Sequence, residues 1–132
     1  MAEEARMEKA KTLGILGGLG PMAGVYFYEK VTALTKASCD QEHINVILAG
    51  LADTPDRTDF ILGKSTVDPT PRMVESAKIL ERAGADVIAM PCNTAHYFYD
   101  AIAGSIHIPM LNIIEETLKL LAGKGARKIG QI

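Results

Sequence analysis

Short apolar runs alternate along this chain with stretches of helical spacing, and that alternation predicts an α/β domain. Residues 12–16 read as a first strand, after which the turn Gly17-Gly18-Leu19-Gly20-Pro21 leads into a helix over 22–36. The apolar face of that helix is Ala23, Phe27, Val31 and Leu34, with Pro21 tolerated in its first turn. Residues 44–49 give a second strand. Thr70 as N-cap and Pro71 as first helical residue then start a helix striped by Met73, Ala77 and Leu80, and Gly84 stops it. The run Ala85-Asp86-Val87-Ile88-Ala89-Met90 suits a central parallel strand covered on both faces. Tyr97, Phe98, Ala101 and Ile102 next recur at helical spacing until Gly104. Residues 109–111 form a short strand, and Asn112 with Glu115 resembles a capping box for a helix ending near Leu121.

The expected architecture is a parallel sheet with flanking helices and right-handed crossovers, of the flavodoxin or Rossmann kind. Ligands in such sheets sit at the carboxyl ends of the strands. Three segments fall there: the Gly17 to Pro21 turn, the loop that begins at Gly50, and the exit of the third strand at Cys92. The 50–69 loop carries Asp53, Asp56, Arg57 and Asp59. Structureless loops of this length are uncommon in compact domains and often functional, so it is a candidate lid or substrate-contacting loop.

At 132 residues the chain holds one core. Residues 1–11 form a charged tail, 12–122 the α/β domain, and 123–132 a linker that enters a further strand. That last reading rests on Lys128-Ile129-Gly130-Gln131-Ile132, which echoes Thr12-Leu13-Gly14-Ile15-Leu16. A net charge of −2 argues against a nucleic-acid or anionic-lipid surface, so the expected partner is a small molecule. Two widely separated cysteines give no disulfide framework and suit a reducing cytoplasm. No apolar stretch approaches the roughly 18 residues of a membrane span.

The stretch Met90-Pro91-Cys92-Asn93-Thr94-Ala95-His96 carries most of the candidate chemistry. It places a thiol where a buried strand gives way to a helix, with Asn93 and Thr94 able to cap that helix. Its unpaired N–H groups and positive dipole end would favour the thiolate of Cys92. The bland alternative is an inert buried cysteine, but structural cysteines more often lie inside an element. Gly18-x-Gly20-x-x-Ala23 formally matches a dinucleotide fingerprint. The acidic residue that would hold a ribose is misplaced, since Asp40 precedes the second strand and Asp53 lies well past it. A glycine-lined pocket in which backbone N–H groups meet a carboxylate is more economical. Cys39 with His43 and Cys92 with His96 share a four-residue spacing, which suits structural zinc poorly. A Cys92/His96 nucleophile and base is chemically possible but lacks a visible orienting group. His43 and His107 read as surface or edge residues. Arg57 is either a solvated loop cation or a substrate contact beside the anion site.

Three motifs in order and spacing, Gly17-Gly18-Leu19-Gly20-Pro21-Met22-Ala23, Pro55-Asp56-Arg57-Thr58 and Met90 to His96, resemble the N-terminal half of the aspartate/glutamate racemase family, and within it the aspartate racemases. The resemblance spans 12–132. It implies two similar α/β domains with the active site between them, working without pyridoxal phosphate or metal. One cysteine from each domain faces the substrate α-carbon, one thiolate removing the α-proton while the other thiol donates to the opposite face.

Carried onto this sequence, the resemblance makes Cys92 the first acid/base, while Asn93 and Thr94 hold the α-carboxylate at the helix end; Gly18 and Gly20 stay substrate-binding candidates as the glycine-lined carboxylate pocket. Arg57 takes the place that recognises a side-chain carboxylate, and His96 supports the motif. Gly24 departs from the threonine often found after this glycine turn. The second cysteine is missing as well, and Cys39, placed before strand two at the amino end of the sheet, cannot easily replace it. The chain alone is therefore expected to be incomplete as a catalyst and to need a second-domain partner or a homo-oligomer. Related Cys-dependent chemistries, those of hydantoin racemase, maleate isomerase and arylmalonate decarboxylase, remain open alternatives. So does a non-catalytic dicarboxylate-binding or assembly module.

Overall fold

The computed structural model describes residues 10–130. Its sheet has three parallel strands, β1 (Thr12–Gly17), β2 (Asn45–Gly50) and β3 (Val87–Ala89), in the order β2-β1-β3. Beyond β3 the predicted fourth strand is reduced to a single parallel bridge between Ile88 and Met110. Five α-helices accompany the strands: α1 (Pro21–Leu34), α2 (Arg57–Ile61), α3 (Thr70–Ala83), α4 (Tyr99–Ala103) and α5 (Ile113–Gly123). The α/β class and parallel order are those the alternating pattern predicts.

Side chains of a strand point alternately to its two faces, so Gly14 and Gly17 mark opposite sides of β1. A Cβ on Gly14 would lie 2.9 Å from Ala85 Cβ and 3.4 Å from Leu80 Cβ, which puts α3 on that face. A Cβ on Gly17 would meet Leu48 Cδ1 at 2.9 Å and Gly24 Cα at 3.7 Å, which puts α1 on the other. The two helical layers are unequal. Met73, Ala77 and Leu80 of α3 join Leu16, Ile88, Met90, Phe98 and Ile102 in the main core, and Ser76 of the same helix is buried too. In α1 only Gly24 is buried, and Leu34, expected on the core stripe, is 79% exposed. Helix α1 is apolar around much of its circumference, with Met22, Val25, Tyr26 and Tyr28 also exposed.

Several boundaries differ from expectation. Helix α3 begins at Thr70 itself with Pro69 as its N-cap, and Thr70 makes no side-chain cap bond. Instead Asp68 Oδ1 accepts from Thr70 N at 2.8 Å. The 50–69 loop is not structureless, because Asp56 accepts from Asp59 N and starts α2 inside it. Gly84, at φ +101°, ends α3 in the left-handed region as expected. Asn112 Oδ1 accepts from the N–H groups of both Ile114 and Glu115 and so caps α5. That helix runs two residues past Leu121 and has no buried residue. Residues 126–130 carry no helix or strand. Most of the charged N-terminal tail, along with Gln131 and Ile132, lies outside the described residues.

Candidate functional site

The turn after β1 and the loop after β2 leave the sheet side by side, because Gly17 pairs in register with Gly50. Gly18 has φ +83°, and a Cβ there would fall 2.6–2.9 Å from the backbone atoms of Leu51. A glycine is required on both counts: the conformation excludes L side chains and the neighbour is main chain. Gly20 is different. Its backbone is extended and a Cβ would meet nothing within 4 Å, so no steric need fixes it. Gly24 has a packing reason to replace a bulkier residue, since its Cβ would come within 3.2 Å of Leu48 Cδ1 and 3.4 Å of Gly17 Cα. Helix α1 thus closes on the sheet through a glycine pair at Gly17 and Gly24.

At the same end of the sheet the chain leaves β3 through Met90, fully buried, and Pro91 into the half-buried Cys92. Cys92 N–H donates back to Met90 C=O at 2.8 Å and tightens this exit. The helix expected immediately afterwards is a 3₁₀ turn over Thr94–Phe98, followed by the five residues of α4. Asn93 makes no side-chain cap bond, because its backbone is already helical and an N-cap needs an extended one. Capping by Asn93 and Thr94 is thereby corrected. Both side chains stay exposed and available to a ligand. Two members of the expected helical stripe, Tyr97 and Ala101, are exposed, while Phe98 and Ile102 enter the core.

His96 is 7% exposed, and both ring nitrogens meet backbone. Nδ1 lies 2.7 Å from Cys92 C=O, and Nε2 accepts from Ile113 N–H at 3.2 Å. A carbonyl partner requires a donor, which assigns the proton to Nδ1. The Tyr99 ring stacks on the imidazole at 6.0 Å, and Tyr99 Oη donates to Met110 C=O at 2.5 Å. Burial, with Glu115 and Asp100 adding to it, pushes the Tyr99 phenol up from its usual range and keeps it a donor. With both nitrogens so engaged, His96 has no lone pair left for the Cys92 thiol or for a metal. The Cys92/His96 nucleophile and base pair does not form. His96 instead ties the cysteine turn to the start of α5.

Arg57 is the first residue of α2. Its Nη1 donates to Thr54 C=O at 3.3 Å and Pro55 C=O at 3.1 Å, while its buried Nε has no partner among the described residues. No carboxylate forms an ion pair with it among the described residues. Phe60 of α2 lies 5.9 Å from Phe98, centroid to centroid, which seats the Arg57 helix against the turn that follows Cys92. Asp53 is bound elsewhere: Arg72 on α3 grips it with Nε and Nη2, each at 2.9 Å, and reaches Glu75 with Nη1 at 2.7 Å. A carboxylate so occupied does not serve as the ribose acceptor of a dinucleotide site. Arg72 and Tyr99 escaped the sequence reading because each partner stands 11 or 19 residues away, with no periodic signal linking them.

Cys39 is exposed ahead of a 3₁₀ turn at Asp40–Glu42, on the amino side of β2 and away from the Cys92 end. His107 is exposed beside Glu81, as a surface residue would be, whereas His43 keeps a buried, unpartnered Nδ1. A groove of about 730 Å³ runs between α5 and the C-terminal segment, lined by Ile113, Ile114, Thr117, Leu118, Leu121 and Ile129. Of the candidate residues only Asn93 reaches it. Among the described residues no helix is long and apolar enough to cross a membrane.

The pattern of the Asp/Glu/hydantoin racemase family matches residues 16–130. The chain is 35% identical over 111 residues to the broad specificity amino-acid racemase RacX of Bacillus subtilis, covering 81% of this chain and 48% of that protein. Its structure resembles the aspartate racemase of Picrophilus torridus, with a TM-score of 0.80 and 35% identity over 88% of this chain and 49% of that one. It also resembles an aspartate racemase homologue from Pyrococcus horikoshii, with a TM-score of 0.72 and 26% identity over 89% and 51%. The chain spans about half the length of these relatives. On a match that runs from within β1 to the C-terminal segment, it belongs to the Asp/Glu/hydantoin racemase family.

Proposed function

We propose that this chain contributes one half of a cofactor-independent racemase site for an acidic amino acid. The observation that carries this reading is the convergence at one sheet end of a thiol and a guanidinium that has no carboxylate partner among the described residues. Cys92 leaves β3 there, and Arg57, with an unpartnered buried Nε, enters from the loop after β2. Removing an α-proton needs a positioned base and stabilisation of the charge that develops on the α-carboxylate. In the proposed step the Cys92 thiolate takes the α-proton and becomes a thiol, leaving a planar carbanion conjugated to the carboxylate. Asn93, Thr94 and the turn at Gly18 and Gly20 offer hydrogen-bond donors to that carboxylate. Arg57 receives the second carboxylate of the substrate, favouring aspartate over a neutral amino acid.

Inversion requires a second acid on the far face of the carbanion. Cys39 sits at the wrong end of the sheet to be that acid, so the partner thiol comes from a second domain or a second chain. The proposed chemistry uses thiols in place of pyridoxal phosphate or a metal, as the resemblance implies. The test is exchange of the α-proton of L-aspartate in D₂O, followed by NMR, for the chain and its Cys92→Ser variant. Slow exchange with retention of configuration, lost in the variant, is the expected result. Binding of aspartate with no exchange under any condition would favour the dicarboxylate-binding module instead.

A further inference from the structure

We infer that Arg72 is a positioning residue for the acidic-substrate site: by clasping Asp53 it holds the loop after β2 so that Arg57 presents its guanidinium to the side-chain carboxylate of the ligand. The inference rests on the proposed role of Arg57. Between Gly50 and Arg57 the described hydrogen bonds are short-range: Ala52 N–H to Gly50 C=O, Thr54 N–H and Oγ1 to Leu51 C=O, and Arg57 Nη1 to Thr54 and Pro55 C=O. These shape the loop but do not attach it. The side-chain bond that crosses from this segment to another element is Asp53 to Arg72 on α3, 19 residues apart.

The geometry suits a strut. Arg72 Nε and Nη2 grip one carboxylate in a forked arrangement that fixes direction as well as distance. Nη1 is held in turn by Glu75 one turn along α3. Hydrogen bonds to Glu75 and then Asp53 raise the Arg72 pKa further above its usual value. Next to Arg72, the fully buried Met73 seats α3 in the core, so the base of the strut stands on a packed element. Asp53 is followed directly by Thr54 and Pro55, the residues whose carbonyls orient Arg57. A displacement at Asp53 therefore reaches the Arg57 guanidinium within two peptide units. An exposed ion pair adds little to global stability, so the effect of breaking it belongs in ligand selectivity and not in unfolding.

The experiment compares L-aspartate with L-asparagine, which differ only in the side-chain carboxylate, by NMR titration of the 132-residue chain. It is repeated for Asp53→Asn, Arg72→Gln and the double variant carrying both, each checked for folding by circular dichroism. Each single variant is expected to lose roughly three- to tenfold in aspartate affinity, as a loosened loop must be reordered on binding. Asparagine affinity should stay within about twofold, and the double variant should lose no more than the weaker single one, because both remove the same bond. Unchanged aspartate binding, equal losses for both ligands, or additive losses in the double variant would each overturn the strut. A wild-type chain that does not distinguish aspartate from asparagine would instead overturn the reading of Arg57, and the role of Arg72 with it.

Discussion

At the scale of single residues, Arg57 and the two glycines of the first turn can each be tested alone. Arg57 has donors to spare, since only Nη1 is satisfied by its own loop. Arg57→Ala is expected to weaken a dicarboxylic amino acid by about 1.5–3 kcal/mol through loss of a charge-assisted contact. Alanine binding should hardly change, and calorimetry with both ligands checks this. Gly18 and Gly20 belong to one turn but answer to different physics. Gly18→Ala forces a side chain into the left-handed region and against Leu51, and should cost about 1–3 kcal/mol in thermal or urea unfolding. Gly20→Ala meets open space and should cost a few tenths of a kcal/mol. Equal effects would mean that the turn is shaped by something other than the approach of Leu51.

At the scale of elements, the cysteine turn is held by side chains where the sequence suggested a helix cap. His96 bridges Cys92 C=O and Ile113 N–H, and Tyr99 backs the imidazole while bonding Met110 C=O. His96→Phe would strand two polar backbone groups in a nearly buried place, with an expected cost of about 2–5 kcal/mol read from urea unfolding. Faster amide exchange at Ile113 should accompany it. Tyr99 carries a pH signature. Its pKa is raised in the folded protein, so its contribution is complete below the unfolded tyrosine value and is lost as pH rises through the folded value. Tyr99→Phe should cost about 1 kcal/mol at neutral pH. It should also flatten the decline in stability on the alkaline side, which denaturant melts across that range would reveal.

At the scale of the whole molecule, apolar surface remains uncovered on two sides. Helix α1 exposes Met22, Val25, Tyr26 and Leu34, and α5 exposes Leu120 and, along its groove, Ile114 and Leu118. Surfaces of this kind usually meet a partner. The chain should therefore self-associate with rising concentration, measurable by analytical ultracentrifugation, and should release that association when a second half is supplied. Inversion of L-aspartate should stay near background for the monomer, since a single thiol serves one face of the carbanion. Robust racemisation at monomeric dilution, followed by chiral chromatography, would refute the two-thiol mechanism here.

The α/β class, the parallel strands, the glycine turn and the Cys92 motif were legible in the sequence because each is a local signal. Strands announce themselves by short apolar runs, Gly84 by a stop, and Asn112 by a cap that forms over three residues. The core stripe of α3 was equally plain, as its periodic residues face a single layer. Helix α1 misled for a complementary reason: apolar residues around its circumference specify no one face, and only Gly24 among them is buried. What the tertiary structure alone decided are contacts between distant positions. Gly18 needs its hydrogen because Leu51 arrives there, His96 is a strut because Ile113 does, and Asp53 is unavailable to a ligand because Arg72 reaches it. Such pairings carry no period and no motif, so they exist only once the strands have set the loops side by side.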